Sequence, residues 1–137
     1  MSPSPAHIEE AMKAKAKAAL LRQDGVEALS AQFIQFKGEP VLLKRSDGVN
    51  VLHYRERYAG QYIVLYGEKD GRVGVTLATY KVKVTPGPAK ATRTDDGNVI
   101  YLVNSISVGV KRIKRLPPGF QGALNDAHRE YVRLMSE

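Results

Sequence analysis

The segment 99–116, VIYLVNSISVGVKRIKRL, is the longest apolar stretch of this chain and ends in its densest run of positive charge. Its β-branched residues and two-residue alternation predict extended chain rather than helix. Asn104-Ser105 would interrupt the segment if it forms two strands, and Pro117-Pro118 ends it because proline cannot continue a ladder. One face of the extended chain would carry the apolar residues Ile100, Leu102, Ile106, Val108 and Val110. The fold therefore needs a sheet with a buried face.

Both ends of the chain predict helices. Ser4 and Pro5 fit the start of a helix over residues 6–23, and Asp24-Gly25 fits its end. Residues at helical spacing predict a second helix over 120–135, with one face formed by Phe120, Leu124, Ala127, Tyr131 and Leu134. For residues 26–36 the favoured interpretation is a short helix or turn that runs into a strand.

Between these helices the period of the apolar residues changes to two. Residues 41–45 and 49–58, separated by Ser46-Asp47-Gly48, predict a hairpin. Residues 61–66 and 72–84 predict two more strands joined by a turn at 68–71, and Gly74 predicts a bend or bulge in the second. The proline- and glycine-rich residues 85–98 predict a loop.

These elements predict a single α+β domain over residues 1–137. The N-terminal helix lies in residues 1–25, the β body in 37–116 and the C-terminal helix in 119–137. We expect a mostly antiparallel sheet of about five or six strands, arranged as a small barrel or sandwich. The composition, 43% hydrophobic and 26% charged, is typical of a globular protein.

The formal net charge of +7 is concentrated in the β body. Residues 37–115 carry fifteen Lys or Arg against seven Asp or Glu, whereas the flanking segments are close to neutral. Such an excess favours a partner that is nucleic acid, an acidic protein face or a phosphate-rich ligand. It is equally typical of a surface that only keeps a protein soluble.

The candidate binding residues are the basic side chains of three predicted strands. Alternation would place Lys111 and Arg115 on one side of their strand and Arg112 and Lys114 on the other. If the three strands are adjacent, they form one basic sheet face. For residues 111–115 themselves, contact with phosphates and a charged edge strand that prevents aggregation are equally favoured. The full set is Lys111, Arg112, Lys114, Arg115, Arg55, Arg57, Lys81 and Lys83.

Four tyrosines recur every four residues, at Tyr54, Tyr58, Tyr62 and Tyr66. Aromatic rings between arginines resemble a stacking platform for single-stranded nucleic acid. Cross-strand aromatic packing, with the hydroxyls at the rim, is the favoured interpretation.

The sequence predicts no catalytic residue, cofactor or metal. The absence of cysteine excludes disulfides, thiolate metal sites and cysteine nucleophiles. His7, His53 and His128 lack metal-ligand spacing, and no phosphate-binding glycine motif or nucleophile elbow occurs. The chain lacks the run of about 18 apolar residues that spans a bilayer and the apolar core of a signal peptide. We therefore expect a soluble protein without membrane contact, not secreted, in the cytoplasm or within a viral particle.

The leading functional hypothesis is a non-catalytic structural or assembly subunit of a larger complex, such as a viral particle or ribonucleoprotein. Such a subunit would form a homo-oligomer or larger assembly and present a basic β face to an acidic partner or nucleic acid. The alternative is a nucleic-acid-binding module that acts through phosphate contacts. A second alternative is an inhibitor or sponge that binds a small phosphorylated ligand.

Overall fold

A computed structural model describes residues 5–36, 49–87, 89–93, 95–103 and 106–136. The elements are α1 Pro5–Asp24, β1 Ala28–Gln35, α2 Val49–Tyr58, β2 Gln61–Lys69, β3 Arg72–Pro86, β4 Ala89–Arg93, β5 Val99–Val103, β6 Ile106–Arg112 and α3 Phe120–Met135. Within these ranges, four strands form an antiparallel sheet in the order β1-β2-β3-β6, and β4 pairs with β5 in a separate ladder. The α+β class and the antiparallel sheet are confirmed. The sheet is not closed and has four strands rather than five or six, so the predicted barrel is wrong.

The two terminal helices are confirmed. α1 ends at Asp24 and is followed by Gly25, whose positive φ of 64° suits glycine and whose N–H donates to the carbonyl of Leu21 at 2.9 Å. α3 buries its predicted stripe from Phe120 to Tyr131, but Leu134 is 51% exposed and is not a core residue. Tyr131 packs beside Gly74, the third residue of β3.

One predicted element is confirmed in part and another is wrong. Residues 26–36 run into a strand, as predicted, because β1 pairs with β2 along its length, and they contain no helix. Residues 49–58 form α2 rather than a strand, since Tyr54 and Tyr58, one helical turn apart, pack on the α1 side of the sheet. Their predicted hairpin partner, 41–45, and the turn at 46–48 lie outside the described residues.

The hairpin of β2 and β3 is confirmed. Asp70 and Gly71 both have positive φ, 53° and 79°, as a type I′ turn requires. The register shifts between Gly67 and Glu68, which leaves Gly74 without a partner and creates the predicted bulge.

The segment 99–116 forms two strands that belong to different sheets. β5 pairs with β4, whereas β6 joins the four-stranded sheet beside β3. The predicted loop over 85–98 is therefore wrong in part: β3 continues to Pro86, and β4 pairs with β5 because an extended strand needs partners for its backbone groups. Asn104-Ser105 lies outside the described residues.

Helices cover both faces of the sheet, and residues 62–66 of β2 are consequently all buried. On the first face, Met12, Ala16 and Leu20 of α1 pack against Ile63 and other residues of β2 and β3. On the second face, α3 packs against β1 and β2. Burying each large apolar side chain contributes about 1.5–3 kcal/mol, so these two layers supply most of the core.

Candidate functional site

Three lysines on the second face form the densest basic surface of the sheet. Tyr80 and Val82 pack under α1 on the first face, so Lys81 and Lys83 of β3 point to the second. On β6, Val110 packs on the first face, and Lys111 therefore shares the second face with the two β3 lysines. We call Lys81, Lys83 and Lys111 the lysine face.

Cross-strand register brings these lysines together. Lys81 lies directly opposite Lys111, and Lys83 lies opposite Gly109. The N–H of Ile113 donates to the carbonyl of Thr79 at 3.0 Å, so Ile113 and Thr79 are a hydrogen-bonded pair. Such pairs recur every two residues along an antiparallel ladder, and Lys81 and Lys111 are therefore also a hydrogen-bonded pair. Their Cα atoms are then about 5.5 Å apart, and Lys83 lies about 7 Å along β3 from Lys81. All three lysines are exposed.

The surroundings of the lysine face are small and polar. Thr85 lies opposite Ser107, both are exposed, and Gly109 has open space where a side chain would lie. No exposed large apolar residue of the described chain lies on β6 or on residues 79–86 of β3. On the β2 side of Lys81, Tyr62 is buried beneath Phe120, the first residue of α3, with the ring centroids 4.6 Å apart. The lysine face is thus a shallow surface beside α3.

Arg112 does not belong to the lysine face. It lies opposite Tyr80 on the first face and donates to the carboxylate of Asp24 at the end of α1. Alternation correctly separates Arg112 from Lys111, and the ion pair compensates the arginine charge.

Lys114 and Arg115 lie in the segment between β6 and α3, and both are exposed. Lys114 and Lys111 line an open groove of about 860 Å³ that also includes Thr79, Leu116 and Leu124. The groove extends the positive charge of the lysine face towards α3.

Arg55 and Arg57 are separated from the lysine face. They lie on α2. Residues two positions apart point to the same side of a strand but to opposite sides of a helix, so the two arginines do not share a face. α2 packs on the first face through Tyr58, and the Arg57 guanidinium lies 5.9 Å from the centroid of that ring. A basic face shared by three adjacent strands is therefore wrong, since only the β3 and β6 segments are adjacent.

Three of the four recurring tyrosines are buried: Tyr58 on the first face, Tyr62 and Tyr66 on the second. Tyr66 stacks on Tyr131 of α3 with centroids 4.4 Å apart, and burial, followed by the nearby Tyr131, raises the pKa of Tyr66 to about 12. The three rings lie in the core, as the packing interpretation expects, but their partners include helix residues. The prediction that the hydroxyls lie at the rim is wrong for Tyr58 and Tyr66, whose hydroxyls are buried. Buried rings cannot stack on nucleic-acid bases.

A second open groove, of about 790 Å³, lies between β3 and α3 and is lined in part by Arg72, Asn125 and His128. His128 Nε2 lies 3.1 Å from the Gly74 carbonyl oxygen and links α3 to the bulge of β3. Apart from Gly74, no residue pattern in the sequence predicts this groove. In the described ranges, no three residues among His, Cys, Asp and Glu are grouped so that they could hold a metal ion.

Comparisons with protein-family models, curated proteins and solved structures find no match to this chain. Among the described helices, none is both long and apolar enough to cross a membrane. The functional argument therefore depends on the geometry of the lysine face.

Proposed function

We propose that this protein is a non-catalytic subunit of a larger assembly that binds a polyanionic partner through the lysine face. The observation that carries the proposal is the register that sets Lys81 directly opposite Lys111. Both side chains are exposed, so an anion bound between them would be attracted by two positive charges at once.

Edge protection is a weaker explanation of the lysines. Lys81 and Lys83 belong to β3, which lies between β2 and β6 and is not an edge of the four-stranded sheet. At β6, Lys15 of α1 already donates to the carbonyl of Val108 at 3.3 Å. Protection of an exposed edge would therefore account for Lys111 alone.

The end of α3 supports a role in assembly. Val132, Leu134 and Met135 are 47%, 51% and 64% exposed. Val132 and Met135 are three positions apart and lie on one side of α3, and such an exposed apolar pair at a helix end fits contact with another subunit. We propose that this contact joins copies of the same chain into a homo-oligomer.

Light scattering at micromolar concentration, with and without polyphosphate or polyglutamate, tests the proposal. The expected result is a self-associated protein that gains mass with a polyanion at low salt. The variant with Lys81, Lys83 and Lys111 replaced by Gln should lose the gain in mass. A chain that stays monomeric and binds no polyanion at low salt would contradict the proposal.

The groove beside the lysine face favours a second candidate, capture of a small phosphorylated ligand between Lys111 and Lys114. A ligand at about 100 times its Kd adds about 2.7 kcal/mol to the free energy of unfolding. Thermal shift with a nucleotide panel should then respond to Lys114→Gln but not to Lys83→Gln, because Lys83 does not line the groove. Absence of a shift with every nucleotide removes this candidate.

A further inference from the structure

We infer that the polyanion bound by the lysine face is the sugar–phosphate backbone of a nucleic-acid duplex, bound without sequence preference. The inference rests on the proposed polyanion-binding function and specifies its partner. Three properties of the face carry it: its residue types, the burial of the tyrosines and the arrangement of its cations.

The residue types of the lysine face suit phosphates better than a protein partner. Phosphate oxygens accept hydrogen bonds from lysine, serine and threonine, which this surface presents at Lys83, Thr85 and Ser107. Cores of protein–protein interfaces are depleted of lysine and serine and depend on aromatic, arginine or methionine anchors. No large apolar side chain is exposed on this part of β3 and β6, so a protein partner would find no such anchor.

The tyrosines favour a duplex over a single strand. Proteins that bind single strands without sequence preference combine basic grooves with aromatic rings on which the bases stack. Tyr62, the aromatic residue beside Lys81, is covered by Phe120 and is 1% exposed. A surface without an available ring provides only charge and hydrogen bonds, and these suit the backbone of paired strands.

The cations are arranged along the strand direction. Lys83 lies at one end, Lys81 and Lys111 form the middle, and Lys114 follows where β6 ends. Contacts from the three lysines of the face alone predict a slope of about −2.7 for log K against log salt. Affinity should then fall about 40-fold between about 50 and about 200 mM salt.

Fluorescence anisotropy with a short labelled duplex tests the inference on the full chain. Replacing Lys81, Lys83 and Lys111 by Gln should abolish this salt dependence, whereas replacing all three by Arg should preserve binding. The matched control replaces Lys13, Lys17 and Arg22 of α1 by Gln, which removes equal charge on the opposite face and should leave the slope unchanged. Should the triple Gln variant fail to fold, Lys83→Gln alone should reduce the slope by about 1.

Competition separates this inference from the broader proposal. Random-sequence duplexes should bind alike, and polyglutamate should compete only weakly. Tighter binding of polyglutamate or of single strands would overturn the duplex inference and leave the polyanion-binding function in place. If neither duplex, polyglutamate nor polyphosphate binds at low salt, both are wrong.

Discussion

The guanidinium of Arg112 is hydrogen-bonded to the carboxylate of Asp24, the last residue of α1. This pair connects α1 to β6 on the first face of the sheet. Lys111, one residue earlier, lies on the second face opposite Lys81. Two neighbouring cations therefore have different roles, one structural and one in the proposed binding surface.

Replacing each of these cations by glutamine should produce different losses. Lys111→Gln should reduce the salt slope of polyanion binding by about 1 with little change in stability. Arg112→Gln should leave the slope unchanged and lower the free energy of unfolding by about 0.5 kcal/mol, a modest amount because both partners of the ion pair are partly exposed. Anisotropy and urea denaturation measure the two quantities, and equal loss of binding in both variants would contradict the assignment.

Gly60 should tolerate alanine far less than Gly25. Both have positive φ, 70° and 64°, so alanine carries a similar backbone cost of about 1–2 kcal/mol at each. A Cβ at Gly60 would lie 2.5 Å from the carbonyl oxygen of Phe36, whereas a Cβ at Gly25 meets nothing within 4 Å. In urea denaturation, Gly60→Ala should therefore cost about 1–3 kcal/mol more than Gly25→Ala. Similar losses in the two variants would show that the backbone at Phe36 can move aside.

Local signals predicted those parts of the fold that local physics determines. The C-terminal end of α1, the turn at Asp70-Gly71 and the bulge at Gly74 each depend on a glycine at positive φ, which the sequence displays directly. α2 could not be predicted in this way, because its residues fit both periods. Its helical form follows from packing of Tyr54 and Tyr58 against the first face of the sheet, a tertiary contact.

The sequence predicts which side of its strand each basic residue of the candidate site faces, but not which strands lie next to each other. Alternation places Lys81 with Lys83 on one side of β3 and separates Lys111 from Arg112. The pairing of β3 with β6 passes over β4 and β5, and that long-range choice is absent from any local pattern. Arg55 and Arg57 are on a helix rather than on the predicted strand because the helical form of α2 depends on tertiary packing.

Tyr66→Phe should make the protein more resistant to alkali. Burial raises the pKa of Tyr66 to about 12, against about 10 in an unfolded chain. Above pH 10 the unfolded chain loses this proton while the folded chain keeps it, so the free energy of unfolding falls as the pH rises towards 12. The phenylalanine variant lacks this contribution, on the order of 1–2 kcal/mol at pH 12. Burial also raises the pKa of Tyr58 and Tyr80, so the free energy of unfolding of the variant should still fall with rising pH, but by less than in the wild type.

Urea denaturation between pH 7 and pH 12 measures this difference. The Tyr66 hydroxyl is buried and has no hydrogen-bond partner among the described residues, so at pH 7 its removal should be neutral or stabilising. Parallel pH profiles for the two proteins would contradict the role of Tyr66.

Met135→Asp should separate self-association from folding. Met135 is 64% exposed on the last turn of α3, so a charge there should change the free energy of unfolding by less than about 0.5 kcal/mol. If α3 ends meet between copies of the chain, the same charge would be buried without a partner, and the oligomer should dissociate. Asn125→Asp adds the same charge at an exposed position ten residues earlier on α3 and should leave the mass of the oligomer unchanged. Light scattering distinguishes the outcomes: a wild-type monomer, or a Met135→Asp variant that still associates, would exclude this helix end as the contact between copies.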